Sequence, residues 1–279
     1  ISTNINVNLG VMPITTWEGW VYPTDPGTGT YKNILSIEDG GFDRYVAVRN
    51  GSFDIGYSAN GWEPVSATLN QWQHIAVIYS GSNIKFYKNG VEYVFGSSEG
   101  SHSSTGTLRI GAKVDGTQNF QGKMDEIRIW NTARTQCEIQ TFMNCEITST
   151  ASGLIANYHF NQGIPAGSNA AVTTLTDDAG TNTGTLTNFA LTGTASNWVS
   201  PGGVSNGFTT TSVPSVTLVI SGNGNNVPQS TTTSTNNFTD FGTNTSRTFS
   251  VSNTGTNTLY VNNIIFSGAN AAQFSVSAS

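Results

Sequence analysis

The chain has 279 residues, of which only 10% are charged, and its formal net charge at pH 7 is -6. This length suffices for two domains with separate cores, and a polar surface built from Thr, Ser, Asn and Gly is typical of extracellular proteins. The acidic balance, without any basic run, argues against nucleic acids and anionic lipids as partners, because both require Lys and Arg to neutralise phosphates.

No run of residues approaches the eighteen or so apolar residues of a membrane span, so we expect no membrane insertion. The first residues, ISTNINVNLG, lack the charged start and apolar middle of a signal peptide. Either a targeting segment has been removed or the chain is an internal piece of a longer protein. We expect a secreted or cell-surface location and further domains of the same protein.

Short alternating or apolar runs follow one another through the first half of the chain. They are rich in Val, Ile, Tyr, Phe and Trp and are separated by Gly, Asn, Asp and Ser, which is typical of strands. Asn89 and Gly90, within KNGVEY, predict a hairpin turn. The runs are TTWEGWVYP, YVAVRN, HIAVIYS, IKFYKNGVEYVF, LRIGA and MDEIRIW. They predict an antiparallel β-sandwich.

The segment TARTQCEIQTFMNCE has helical spacing, with Ile139, Phe142 and Met143 on one face of one or two turns. It also contains the only two cysteines, Cys137 and Cys145. An even count in a secreted-looking chain favours a disulfide that closes a small loop over two buried free thiols. A bend after Met143 would bring the two Cα atoms within about 7 Å.

A change in composition divides the chain. Residues 199–215, VSPGGVSNGFTTTSVPS, are mostly Pro, Gly, Ser and Thr and indicate a linker. Strand alternation returns afterwards in VTLVISG, RTFSVSNTGTNTLYVNNIIFSG and FSVS. We predict a first domain at residues 1–200, a linker at 201–215 and a second domain at 216–279.

Three motifs carry a family resemblance in the first domain. WQHIAVIYSGSNIKFYKNGVEY, LRIGA and FQGKMDEIRIWNTART resemble the core strands of the laminin G-like, concanavalin A-type jelly roll in its bacterial form. GLIANYHFNQG, DDAGTNTGTLTNF and SNWV are similar to the segment that follows this core in secreted Bacteroidetes proteins. The resemblance implies an all-β, concanavalin A-like antiparallel jelly-roll sandwich, and the sequence starts just beyond the family's usual opening strand.

The tail carries a second resemblance. VISGNGNNVPQ, TDFGTN and FSVSNTGTNTLYVNNIIFSG resemble the immunoglobulin-like repeats called choice-of-anchor D domains, which are related to the ASH/Hydin sandwiches. This resemblance implies a smaller immunoglobulin-like β-sandwich that ends before its last strands.

The adjacent acids Asp125 and Glu126 lie on an alternating strand, so we expect their side chains on opposite faces. A retaining glycosidase needs two carboxylates about 5 Å apart in one cleft, which this arrangement excludes. Alternation places Asp125 on the same face as Ile127 and Ile129, where a carboxylate must be paired, hydrogen-bonded or bound to a metal.

Calcium needs several oxygen ligands from different loops. Asp177 and Asp178, in TDDAGTN, lie in a Gly-containing loop that could wrap a cation. The family resemblance implies a structural calcium ion, with Asp125, Asp177 and Asp178 as its ligands. The alternative for Asp125 is a hydrogen-bonded structural role.

The sequence gives no support for a catalytic function. It lacks the GxSxG elbow, a phosphate loop and a Rossmann fingerprint. His74, His102 and His159 are too scattered to indicate a zinc site or a catalytic base, and His74 lies within a core strand. We predict that the protein is not an enzyme.

Trp62 differs from the strand tryptophans because it lies in YSANGWEPVS, a turn-rich loop. With Tyr57 and Arg49 it could form a platform for a sugar ring, since aromatic faces attract the apolar C–H faces of sugars. The alternative is that Trp62 folds back and caps the sandwich.

Two functions follow from these patterns. The first is a non-catalytic extracellular recognition or adhesion module that binds carbohydrate or another cell-surface ligand. The alternative is an architectural spacer in a long adhesin or surface fibre. An aromatic-lined groove with converging polar groups would favour the first, and a uniform Thr/Asn/Ser surface the second.

Overall fold

The computed structural model describes residues 1–40, 43–56, 65–81, 83–94, 99, 106–204, 209–210, 218–227, 234–237, 239–244, 246–253 and 275. The chain divides into two compact units, Ile1–Val213 and Pro214–Ser279. Within the described ranges, no helix is long and apolar enough to cross a membrane.

The elements follow one another in the order β1 (Thr15–Pro23), β2 (Lys32–Ser36), β3 (Tyr45–Arg49), β4 (Ser52–Ile55), β5 (Val65–Ser66), β6 (Gln73–Tyr79), β7 (Ile84–Lys88), β8 (Val91–Val94), β9 (Arg109–Ile110), β10 (Gly122–Trp130), α1 (Gln136–Phe142), β11 (Glu146–Ile147), β12 (Leu154–Tyr158), β13 (Thr174–Leu175), β14 (Gly184–Thr185), β15 (Thr209–Thr210), β16 (Leu218–Gly222), β17 (Asn225–Asn226) and β18 (Phe249–Asn253).

Two antiparallel sheets form the sandwich of the first unit, which also contains the short pairs β11-β15 and β13-β14. The larger has the strand order β12-β10-β1-β6-β7-β8, and the smaller has the order β5-β4-β3-β2-β9. Val48 and Phe53 of the smaller sheet share one buried cluster with Trp17, Phe86 and Ile127 of the larger. Burying side chains of this size contributes about 1.5–3 kcal/mol each. The predicted all-β, concanavalin A-like sandwich is confirmed.

The hairpin predicted at Asn89 and Gly90 is also confirmed. Both residues have positive φ, 51° and 75°, and they join the antiparallel strands β7 and β8. Two successive residues with positive φ are the requirement of the tight hairpin turn that Asn-Gly favours.

The helix α1 covers part of the outer face of the larger sheet. Its predicted apolar face is confirmed at two positions, because Ile139 packs with Ala76 and Tyr87, and Phe142 packs with Trp130. The helix begins with a capping box at Thr135. Polar side chains of the larger sheet lie beneath the helix on this covered face.

The predicted disulfide is wrong in this structure, where Cys137 and Cys145 are free thiols. Cys137 lies in the first turn of α1, and the helix continues to Phe142 at about 1.5 Å per residue, away from Cys137. Cys145 follows the helix and is buried with Trp130 and Ile147. The helix therefore separates the two sulfur atoms instead of bending them together.

The second unit contains the antiparallel sheet β17-β16-β18. Its strands β16 and β18 lie where VTLVISG and RTFSVSN predict them, and they pair from Leu218 with Asn253 to Gly222 with Phe249. The immunoglobulin-like assignment stays a prediction, because most of the tail lies outside the described residues.

Candidate functional site

A β-bulge in β10 decides where the acidic pair points. Glu18 pairs with Arg128 and Trp20 with Asp125, so that only Gly19 stands opposite both Glu126 and Ile127. Glu126 has a φ of 51°, which is unusual for a residue other than glycine. A side chain at position 19 would bring its Cβ within 2.5 Å of Ile127 Cδ1. The glycine and the extra residue together break strict alternation.

The bulge corrects the predicted positions of Asp125 and Glu126. Ile127 lies in the sandwich core as expected, but Asp125 Oδ2 accepts hydrogen bonds from the N–H groups of Gly203 at 2.8 Å and Val204 at 3.2 Å. Glu126 bonds to Arg128 on the same outer face of the sheet. The two acids therefore do not point to opposite faces. Neither opens onto a cleft, since Asp125 is 7% exposed and Glu126 2%.

Asp125 is a hydrogen-bonded structural acid in this arrangement. Burial and, to a smaller extent, the nearby Glu126 raise its pKa to about 6, against the lowering effect of the Val204 and Gly203 hydrogen bonds. Residues 203 and 204 fall in the predicted linker, yet their main chain contacts β10 of the first unit.

A buried polar network continues along the outer face of β10. Trp130 Nε1 donates to Glu18 Oε1 at 2.8 Å, and Arg128 Nη1 lies 3.8 Å from the same oxygen. His74 Nε2 lies 3.7 Å from Glu18 Oε2. Burial, together with the charge of Arg128, lowers the pKa of His74 to about 3. His74 is therefore a neutral, structural histidine.

Arg128 joins this network to the helix. Its Nη1 donates to the carbonyl oxygen of Phe142 at 3.0 Å, and its Nη2 donates to the carbonyl oxygen of Cys145 and to Glu126 Oε2. The guanidinium thus satisfies carbonyl groups at the end of α1, which have no partner within the helix.

The network ends in a cluster that sequence reasoning missed. One ligating atom each from Glu126, Glu146 and His159 lies within 4.8 Å of the others, and we call these three residues the His159 cluster. His159 Nδ1 lies 2.7 Å from Glu126 Oε1, and its Nε2 lies 3.9 Å from Asp178 Oδ2. Burial lowers the pKa of His159, but the hydrogen bond and charge of Glu126 outweigh it and raise the pKa.

The predicted calcium ligands do not come together as one set. Asp177 Oδ1 accepts hydrogen bonds from the main-chain N–H groups of Asn157 and Ala179, and its Oδ2 accepts one from that of Asn182. Asp177 therefore stabilises its own loop. Among the described residues, the candidate metal-ligating group contains neither Asp125 nor the two loop aspartates. Calcium binding itself stays a prediction.

The structure describes one of the three residues of the predicted sugar platform, Arg49. Arg49 Nη1 donates to Tyr31 Oη at 2.8 Å, and its guanidinium carbon lies 4.5 Å from the Tyr31 ring centroid. Tyr57 and Trp62 lie outside the described residues.

Two further residues complete the described surface around Arg49. The Tyr45 ring packs edge-on against Tyr31, with the ring centroids 5.6 Å apart, and Tyr45 Oη donates to Asp54 Oδ1 at 2.9 Å. Burial raises the pKa of Tyr45 and that of Asp54. We call Tyr31, Tyr45, Arg49 and Asp54 the tyrosine–arginine cluster.

Two polar atoms of this cluster stand without a hydrogen-bond partner in the described part of the chain, Arg49 Nε and Asp54 Oδ2. Asp54 Oδ2 lies 3.8 Å from Arg49 Nη1. The cluster thus contains a donor and an acceptor, both buried, next to two aromatic rings. Tyr45 was predictable, because alternation in YVAVRN places it on the same face as Arg49.

The comparisons with known proteins agree with this architecture. Residues 5–140 match the family model of the Concanavalin A-like lectin/glucanases superfamily. The match covers just under half of the chain and agrees with the sandwich of the first unit. No curated protein matches the chain.

Two solved structures are also similar to this chain. A candidate carbohydrate-binding protein from Bacteroides ovatus is 20% identical with a TM-score of 0.52, and the match covers 66% of this chain and 54% of that one. The chain thus spans about half the length of that protein. A heptameric SAP-like pentraxin from Limulus polyphemus is 17% identical with a TM-score of 0.38, over 62% of this chain and 82% of that one. At 20% identity the likeness to the Bacteroides ovatus protein concerns the fold alone.

Proposed function

We propose that the first unit is a non-catalytic carbohydrate-recognition module and that the tyrosine–arginine cluster is part of its binding surface. The observation that carries the proposal is the pairing of two tyrosine rings with an arginine and an aspartate on the outer face of the smaller sheet. Sugar sites combine aromatic surface with a few placed polar groups, and this cluster has both.

The polar atoms suit a sugar hydroxyl, which donates one hydrogen bond and accepts others. Arg49 Nε is a donor, and Asp54 Oδ2 is an acceptor. Arg49 is the accessible member of the pair, with 38% of its side chain exposed against 4% for Asp54. Both atoms are buried, so a sugar hydroxyl would contact the exposed part of the Arg49 guanidinium first, and movement of the Arg49 side chain would expose Asp54.

The acid content of the cluster supports binding without hydrolysis. Glycoside hydrolysis needs two carboxyl groups on either side of the scissile bond. Among the described residues, the tyrosine–arginine cluster contains one, Asp54, and the acids of β10 lie on the outer face of the other sheet, with Glu126 beneath α1. Display of this module on the cell surface within a larger, adhesive protein belongs to the same proposal.

A glycan array tests the proposal, with the full chain applied as wild type and as Arg49→Ala. We expect wild type to bind a defined group of glycans and Arg49→Ala to lose most of that signal. Arg247→Ala is the matched control, because it removes the same charge from the second unit. Equal signals from both variants, or no glycan bound by wild type, would count against the module.

A further inference from the structure

We propose that the His159 cluster binds a divalent transition metal ion, with Glu126, Glu146 and His159 as protein ligands. Sequence distance conceals this set, since its members come from β10, β11 and the residue after β12. Pairing of Ile127 with Tyr158 brings the end of β12 beside the bulge of β10, so that His159 meets Glu126.

The distances suit a small ion. Ligand atoms around a tetrahedral zinc ion lie about 2.0–2.2 Å from the metal and therefore about 3.3 Å from one another. In the His159 cluster the Glu126 and His159 atoms are 2.7 Å apart, and the three ligand atoms lie within 4.8 Å of one another. Side-chain rotations that move the ligand atoms by about 1 Å would place all three around one ion.

The charge around the cluster favours a cation. Glu126 and Glu146 lie beside the same imidazole, Asp178 Oδ2 lies 3.9 Å from its Nε2, and Arg128 contacts Glu126. Glu126 is buried and Glu146 half-buried, and a divalent ion would neutralise these two carboxylates.

A fully buried amide, that of Asn157, contacts the cluster. Asn157 Nδ2 lies 3.1 Å from His159 Nε2 and donates to the carbonyl oxygen of Ile147 at 3.1 Å, so Ile147 fixes the orientation of the amide. A histidine that binds a metal through Nδ1 must carry its proton on Nε2 and needs an acceptor there. Asp178 Oδ2, at 3.9 Å, is that acceptor once the imidazole turns from Asn157 toward it.

The donor set favours zinc over calcium. Calcium takes six to eight oxygen ligands, whereas an imidazole nitrogen with carboxylates suits zinc and its neighbours among the transition metals. The competing explanation is an ion pair between a protonated His159 and Glu126, which needs no metal.

Calorimetric titration of the chelator-treated full chain with zinc chloride at neutral pH separates these explanations. We expect one zinc ion per chain and a rise in melting temperature with zinc. Glu146→Gln and His159→Gln should each weaken binding at least about tenfold. His102→Gln is the control for nonspecific binding to a histidine and should bind zinc as wild type does.

Glu146→Gln keeps the variant test valid if His159→Gln does not fold. Glu146 is partly exposed, and Asn161 Nδ2 donates to its Oε1 at 2.6 Å, a bond that the glutamine oxygen can retain. Absence of zinc binding by wild type would overturn the proposal. So would equal zinc affinity of wild type and Glu146→Gln, or calcium binding in place of zinc with the same dependence on Glu146.

Discussion

His74 is a neutral imidazole held between Glu18 of β1 and Arg128 of β10, and this position makes stability depend on pH. The folded protein holds the pKa of His74 at about 3, against an ordinary value of 6.5. Between these values the unfolded chain binds a proton that the folded chain excludes. The free energy of unfolding therefore falls as the pH falls below about 6.5, by up to about 1.4 kcal/mol per pH unit.

Urea unfolding at several pH values between about 5 and 7 measures this contribution. We expect His74→Gln to show a shallower fall in the free energy of unfolding than wild type, because the glutamine does not titrate. His102→Gln should keep the wild-type slope. An unchanged slope in His74→Gln would mean that His74 is protonated in the folded protein.

Asp125 supports the main chain of Gly203 and Val204, and two variants separate its hydrogen bonds from its charge. Asparagine keeps an acceptor oxygen, whereas alanine leaves both N–H groups without it. We expect Asp125→Ala to be less stable than Asp125→Asn by about 1–3 kcal/mol in urea unfolding. Equal stability of the two variants would contradict the hydrogen-bonding role and would favour calcium ligation as the role of Asp125.

At the scale of elements, the helix α1 depends on its capping box. Thr135 Oγ1 accepts from Glu138 N at 3.3 Å, and Glu138 Oε2 accepts from Thr135 N at 2.7 Å. Thr135→Ala should lower the free energy of unfolding of the first unit by about 1 kcal/mol, measured in urea. Thr183→Ala, at an exposed position, should change it by less than about 0.5 kcal/mol. Equal effects would show that the cap contributes nothing specific.

The strand β10 shows what alternation predicts and where it fails. Ile127 and Ile129 face the core as their spacing predicts. Asp125 does not follow them, because the bulge at Glu126 depends on Gly19, a residue of another strand. A local pattern contains no information on such a partner. The disulfide prediction failed for a related reason. Burial with Trp130, and not loop closure, determines the position of Cys145.

At the scale of the whole molecule, the sandwich was predictable because period-two runs of β-branched and aromatic residues need a second sheet to cover them. The polar clusters were harder to predict from the sequence. The tyrosine–arginine cluster joins a loop residue, Tyr31, to β3 and β4, and the His159 cluster requires that β12 pairs with β10. Strand order sets both, and alternation within a strand does not determine strand order.

The central claim is that a sugar binds at the tyrosine–arginine cluster, and calorimetric titration of the full chain with an array-selected glycan tests it most directly. Tyr31→Ala removes the ring beneath the Arg49 guanidinium, and Tyr93→Ala removes a tyrosine from β8 of the other sheet. Loss of one stacking ring should weaken binding by about 1–2 kcal/mol, or roughly 5–30-fold in Kd. We expect this loss for Tyr31→Ala and wild-type affinity for Tyr93→Ala; wild-type affinity in Tyr31→Ala would contradict sugar binding at the tyrosine–arginine cluster.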